Sequence, residues 1–350
     1  MSWEQLSRNA EGELMNLHYG LIHVGLPTIV NIKQDSLPYV KGDAIPRNYE
    51  LCENGDVSFA DASEDTSEVA KVIEFTGIGN EKVISGLHTI HGRDKLGLTV
   101  IGFKGYLFSS QSFNNQTRRI AQGSKVFSIS AKNFSEIFVS VPSKEEQRKI
   151  ANLLRLIDER IATQRRLIEK LETLIKGIAE SLTTKTPNTK IADCLVCHSS
   201  TLQENQVGSS GKYRVYGASG ICGYTYLPEV TVDSILIVKD GSGVGSVTYA
   251  NGEYSVVGTS NYLTAKSAYL LRYLYYCLMC FNFTPYKSGM AIPHIYFKDY
   301  GKAKIYCPPI EMQKKIVSAL SNIESKIKIE RDILRQYTMQ KQHLLQQMFI

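Results

Sequence analysis

The sequence predicts an α+β fold built from two copies of one unit, each a mixed α/β domain closed by a long helix. Three observations carry that expectation. Residues 142–182 hold apolar side chains on a heptad seam. The chain matches itself without a gap when shifted by 166 residues. Short β-branched and aromatic runs, separated by Gly- and Asp-rich turns, fill the segments before each helix.

The first helix is the clearest element. Ile150, Leu154, Ile157, Ile161, Ile168, Leu171, Ile175, Ile178 and Leu182 recur at steps of three, four or seven, with one slot, Gln164, filled by a polar residue. A 3.5-residue period sustained over about five heptads marks a coiled coil rather than an ordinary surface helix. Ser143 is placed to cap the first turn, with Glu146 three residues on for a capping box, and Pro142 discourages helix upstream.

The internal match defines the second helix. Pro142 falls on Pro308, Gln147 on Gln313, Ile150 on Ile316, Leu154 on Leu320, Ile157 on Ile323 and Ile161 on Ile327. The polar slot Gln164 falls on Glu330, and Ile168 and Leu171 fall on Leu334 and Tyr337. Gly123 and Gly289, Ile129 and Ile295, and Lys132 and Lys298 extend the register upstream. The second copy is less regular, with Lys341 where the first has Ile175. Looking first for self-similarity gives four segments: a globular part at 1–141, a helix at 142–184, a second globular part at 185–307 and a second helix at 308–350.

Before the first helix, K-V-I-E-F, L-T-V-I-G-F and K-V-F-S-I-S read as strands, and A-D-A-S-E-D as an acidic loop. In the second globular part, D-S-I-L-I-V-K-D-G-S-G-V-G-S-V-T-Y reads as a hairpin. A phosphate-binding glycine loop should open a helix, and V-T-Y-A-N-G follows instead. S-A-Y-L-L-R-Y-L-Y-Y-C-L-M reads as a helix, and the segment ending I-P-H-I-Y-F-K-D-Y as a loop and short strand.

Composition bounds the function. Forty-three per cent hydrophobic residues suffice for ordinary cores. There is no apolar run long enough for a membrane span and no apolar leader at the N-terminus, so a cytoplasmic, membrane-free protein is expected. The net charge of +6 is uneven: residues 1–142 carry −3, and the remainder is basic throughout. That balance suits a nucleic-acid partner if the first part gathers its cations on one face.

Seven cysteines without a leader read as reduced thiols. The pairs Cys194/Cys197 and Cys277/Cys280 offer four thiolates, but about 80 residues separate them, beyond zinc-ribbon spacing. Cys194 to His198 also fits a haem-attachment pattern, which goes with export. Core packing is the simpler reading, and no metal is expected.

With P-S-K-E-E-Q-R-K-I and P-P-I-E-M-Q-K-K-I each opening a long heptad helix, the chain resembles the specificity subunit of a type I DNA restriction–modification system. V-Y-G-A-S-G with G-Y-T-Y, S-G-M-A-I-P-H-I-Y-F-K-D-Y, and G-L-H-T-I add to the resemblance, which covers nearly the whole chain. It implies two target-recognition domains separated by two antiparallel helices and related by a pseudo-twofold. Each domain would read half of a split double-stranded DNA target. The partners it implies are two methyltransferase subunits, using S-adenosylmethionine, and motor-nuclease restriction subunits, using ATP and Mg. The chain itself would be non-catalytic and bind no cofactor. Family members often carry more sequence before the first domain, so a shortened form is one expectation.

The dimensions agree. A helix of about 38 residues spans about 57 Å, and successive major grooves on one DNA face lie about 34 Å apart. In an antiparallel pair the helix centres meet near Gln164 and Glu330, which are expected to face each other and fix register. Base readers need long polar side chains on loops, with Lys and Arg on phosphates. The candidates are His88, Arg93, Lys95, Asn114, Asn115 and Arg118 in the first unit. In the second they are Lys212, Tyr213, Arg214, Lys239, Ser260, Asn261 and Lys287. Arg148, Arg155 and Lys315, flanking the seam, are candidates for the methyltransferase contact.

Two rival classes are weaker. An enzyme of its own would need a methyltransferase Asn-Pro-Pro-Phe-like motif, a phosphate loop or HExxH, and none occurs. A coiled-coil scaffold binding only protein explains the helices but leaves two globular parts without a task.

Overall fold

The computed structural model describes residues 1–8 and 12–349. Its contacts divide the chain into two compact units, Met1–Thr163 with Ile333–Ile350, and Gln164–Asp332. The divide cuts through both long helices, Lys144–Thr183 and Ile310–Gln347. Each unit therefore holds the first half of one helix and the second half of the other.

The first unit contains two four-stranded sheets. One orders Leu6–Ser7, Tyr39–Val40, Leu14–Leu17 and Lys82–Ser85, the last two parallel. The other orders Ile29–Asn31, Val72–Thr76, Val57–Ala60 and Thr89–Gly92. Leu17, Val30, Ile73, Phe75 and Val83 fill the core between strands, and Phe59, Val72 and Phe113 form a second cluster beneath the helix Gln111–Ile120.

L-T-V-I-G-F was expected to be a strand and is not one. It forms turns that lead into a short helix, Lys104–Leu107. Phe103, Tyr106 and Leu107 bury against Ile150, Ala151 and Leu154 of the first long helix and Phe349 of the second. The apolar run belongs to a helix-docking turn, so its side chains need not alternate.

Within this unit the two helices run antiparallel. Ile150 and Leu154 share a core with Leu344, Leu345, Met348 and Phe349. Eight residues further along the first helix, Asp158 meets Lys341 of the second at 2.6 Å and accepts from the Tyr106 hydroxyl at 3.0 Å. Lys341, the polar residue at an apolar seam position, is thus matched by a carboxylate and by the Tyr106 ring, 5.6 Å from its ammonium.

The second unit is built around an antiparallel sheet ordered Leu195–Ser199, Ser260–Ala265, Ser234–Val238 and Val247–Ala250. The glycine segment is the turn of the hairpin joining the last two, with Ile237 opposite Val247. A three-stranded sheet of Gly220–Thr225, Tyr213–Gly217 and Tyr254–Val256 packs nearby. The chain enters and leaves this part side by side, Thr189–Lys190 pairing with Lys304–Ile305. The segment expected to close in a short strand instead forms a one-turn helix, Phe297–Tyr300. There Tyr300 buries its ring against Phe283 and Phe297.

Candidate nucleic-acid interface

The seam buries most of its expected positions. Ile150, Leu154, Ile157, Ile161, Gln164, Ile168, Ile316, Leu320, Ile327 and Glu330 are buried, while Leu171, Ile323, Leu334 and Tyr337 are half-buried. Ile175 keeps the heptad and is buried; beyond it the buried position shifts from Ile178 to Ala179, as a 3.6-residue helix departs from a strict heptad. In the second unit the Gln164 side-chain amide donates to the Glu330 backbone carbonyl at 3.1 Å and to the Glu330 carboxylate. Bonds from Lys326 and then Gln164 hold that carboxyl below the ordinary range. A charge buried at a seam is tolerated when it is paired and hydrogen-bonded in this way.

Each helix start is fixed to its globular part by the glutamine of the repeated motif. Gln147 is fully buried. Its Oε1 accepts from Val100 N–H (2.8 Å), and its Nε2 donates to Leu98 O (3.0 Å) and Pro142 O (2.8 Å). Gln313 accepts from Leu270 N–H (3.1 Å) and donates to Pro308 O (2.9 Å). Ser143 Oγ caps the first helix, accepting from Glu146 N–H at 3.3 Å. In the second unit Glu324 adds a further tie: it pairs with Arg272 and accepts from Tyr276 at 2.8 Å, docking the helix Leu271–Met279. The sequence carried the signal for the two glutamines in their shared spacing, but not their role.

The proposed base readers fall into distinct environments. His88 lies at the rim of a cavity of about 420 Å³ lined by Tyr19, His23, Ser63, Glu64 and Val126. Its backbone is left-handed, φ 62°, an uncommon conformation for a residue with a side chain. Its ring meets Tyr19 edge-on at 5.6 Å and stands 3.6 Å from Asp61. Tyr19 continues a ladder of rings through His18 to Trp3. Burial, followed by the N-terminal charge, lowers the His18 pKa.

Lys95 is exposed on a loop. Asn114, Asn115 and Arg118 are on the helix Gln111–Ile120 rather than on a loop, and Asn115 accepts from Gln111 at 2.8 Å. In the second unit Lys212, Arg214 and Lys287 are exposed; Tyr213 is half-buried, with the Lys212 ammonium 4.9 Å from its ring. Lys239 is half-buried and paired with Asp240, which also accepts from His294 Nδ1 at 2.7 Å.

Three candidates are corrected by their surroundings. Ser260 and Asn261 are buried in the central strand Ser260–Ala265, where Asn261 Oδ1 accepts from Ser199 at 3.0 Å, so neither reaches outward to a base edge. Arg93 is committed inside the unit. Its Nε donates to Asp56 Oδ1 at 3.0 Å, and its Nη2 donates to Asp56 Oδ2 at 2.7 Å and to Leu51 O at 2.8 Å. Glu50 and Glu53 lie 3.3 and 3.1 Å from its Nη1. A polar residue in a strand-like run and an arginine near carboxylates look no different in sequence from surface readers.

Cys52, Asp56 and His91 bring their donor atoms within 4.8 Å of one another, the only such group among the described residues. Asp56 is already held by Arg93 and by His91 Nε2, which donates at 2.9 Å. Burial, then the Asp56 charge, pushes the Cys52 thiol up to about 12. With Asp56 satisfied by Arg93 and His91, the trio ties neighbouring strands together. All seven cysteines are free. Cys194 stands 3.7 Å from Cys307, and among the described residues neither CxxC pair belongs to a metal-ligating group.

These features define a class: a duplicated α+β protein whose halves each lock a globular part onto the start of a long helix, with exposed cations on both. A family model for the type I restriction modification DNA specificity domain matches residues 101–173 and 175–338, more than half of the chain. The chain belongs to that family. Among solved structures it is similar in fold to the type I restriction–modification S subunit from M. genitalium, at 17% identity and TM-score 0.58, covering 100% of this chain and 91% of that one. It is also similar to a chain from structural work on complex assembly and conformational transition of the type I R-M system, at 15% identity and TM-score 0.58, covering 97% and 93%. No curated protein sequence matches it. Among the described residues no helix is long and apolar enough to cross a membrane.

Proposed function

We propose that this chain is the DNA sequence-recognition subunit of a type I restriction–modification complex. The observation that carries the reading is the duplication, in which each copy ties a globular part to its helix through an equivalent buried glutamine, Gln147 or Gln313. Two recognition parts, each tied to the start of its own helix, suit a target split into two half-sites. Residues 1–141 and 185–307 would be the target-recognition domains. His88, Lys95, Asn114, Asn115 and Arg118 remain reader candidates in the first, and Lys212, Tyr213, Arg214 and Lys239 in the second, while Lys287 is the candidate for a phosphate contact.

The helices would set the gap and receive two methyltransferase subunits. Arg148 and Arg155, which line a cavity of about 440 Å³ with Val100, Gly102 and Tyr106, are candidates for that contact, as is Lys315. On this reading the chain performs no catalysis. S-adenosylmethionine serves the methyltransferases, and ATP and Mg serve the motor-nuclease subunits.

The test is an adenine-methylation map. The chain is co-expressed with the methyltransferase encoded beside it in a methylation-free host, and modified bases are read by long-read sequencing. A split motif with a constant gap, absent when this chain is omitted, is expected. A stable complex that methylates nothing would refute the recognition role in this form, and no complex at all would favour a scaffold.

A further inference from the structure

Each globular part carries the same small loop. In the first unit the backbones of Gln122 and Ser128 exchange hydrogen bonds of 2.9 and 2.8 Å; in the second, Ser288 and His294 exchange bonds of 2.9 and 2.7 Å. The two closures stand at the offset of the internal repeat. Both loops turn on a glycine with positive φ, 137° at Gly123 and 90° at Gly289. A Cβ would come within 1.9 Å of Val126 O in one and 2.3 Å of Ile292 O in the other, so no other residue fits. A one-turn helix follows each at the same offset, Ala131–Phe134 and Phe297–Tyr300.

What the loops present is also shared. Val126 and Ile292 are 53% and 56% exposed at equivalent positions. Exposed lysines flank both, Lys125 and Lys132 in the first, Lys287 and Lys298 in the second. The flanking sequence is poor in acid, although Glu64 lines the cavity at Val126 and Asp240 pairs with His294. Residues 95–135 hold six Lys or Arg and no Asp or Glu, within a part that is acidic overall, and residues 254–298 hold four and none.

A loop closure, glycine turn, exposed apolar residue and following lysine shared by both copies carry no information about two different half-sites. They suit what both halves of a duplex share. We propose that the two loops are sequence-neutral clamps on the DNA backbone, with the lysines on phosphates and Val126 or Ile292 against deoxyribose. The inference rests on the DNA-recognition reading above. A protein contact used twice would need more of the apex kept, yet Ser124-Lys125 in one copy is Met290-Ala291 in the other. Cations plus one apolar contact are enough for a backbone.

The test compares the full chain, in complex with its methyltransferase, with a variant carrying Lys125→Ala, Lys132→Ala, Lys287→Ala and Lys298→Ala. Anisotropy titrations use a duplex with the mapped target and a scrambled duplex, at several salt concentrations. Losing four phosphate contacts should flatten the slope of log K against log salt by about 3–4. Affinity should fall about tenfold or more on both duplexes alike, with the methylated motif unchanged. A Val126→Ser/Ile292→Ser variant should weaken binding without changing the slope. An unchanged slope or an altered motif would overturn the clamp, and so would loss of the methyltransferase with DNA binding intact. Failure of the unsubstituted complex to bind any duplex would overturn the recognition reading, and the clamp with it.

Discussion

Replacing Gln147 with alanine should destabilise the first unit far beyond the usual effect of a helix substitution. The side chain is fully buried and makes three hydrogen bonds. The Leu98 and Pro142 carbonyls sit in exposed residues and can turn to water, so each loss costs about 0.5–1.5 kcal/mol. The Val100 N–H is part-buried, and leaving it unpaired costs about 1–3 kcal/mol. With partial relaxation the sum is about 2–4 kcal/mol. Because two units need not unfold together, hydrogen exchange at the Val100 amide is the right assay: local protection should fall by that amount while the core strand Val72–Thr76 changes less. Gln147→Glu keeps the acceptor for Val100 but loses both donors and buries a charge, so it should not rescue. A loss below about 1 kcal/mol, no larger than that of the exposed neighbour Arg148→Ala, would refute the latch.

Gln164→Leu should cost about 1 kcal/mol by removing one of the two side chains that bond the buried Glu330 carboxylate, the Lys326 pair remaining. Adding Glu330→Leu should restore stability while loosening helix register, readable as broadened amide signals along both helices. Asp94 is held down to about 2 because hydrogen bonds from the Thr99 side chain and backbone, then Leu98 and Leu96, outweigh its burial. Its folded pKa lies below the unfolded value, so its contribution is present above about pH 4 and is lost as pH falls toward 2. Asp94→Ala should therefore lower the melting temperature at pH 7 but not at the acid end, with a loss on the order of 1 kcal/mol after solvent screening. Treatment with a diamide-type oxidant should join Cys194 to Cys307, not to Cys197, seen as a loss of two hydrogens and one cross-linked peptide. A Cys194–Cys197 product would contradict the 3.7 Å placement.

The long helices were legible because periodicity repeats over many turns and because the copies reinforce each other. Gln164 opposite Glu330 followed from matched spacing together with the antiparallel helix pair that the resemblance implied. The globular parts were less legible. L-T-V-I-G-F has strand propensity but serves as the pad for Ile150 and Leu154, a tertiary demand that overrides local preference. Arg93, Ser260 and Asn261 were misplaced because sequence gives residue type without direction: a side chain on one face of a strand is buried and its neighbour exposed. The glutamine latches were missed for a different reason. Their partners, Val100 and Leu270, are not equivalent in the repeat, so the pairing exists only in the folded chain.

The composition of the first unit has a consequence for damage to the chain. Its core is completed by the last turns of the second long helix, where Leu344, Leu345, Met348 and Phe349 cover Ile150 and Leu154 and the Phe349 ring packs 5.7 Å from Phe103. A frameshift or proteolytic nick near residue 333 would leave the second globular part whole yet unroof the one at the opposite end of the sequence. Quality control would then meet its sticky surface in the half that was translated first and bears no lesion.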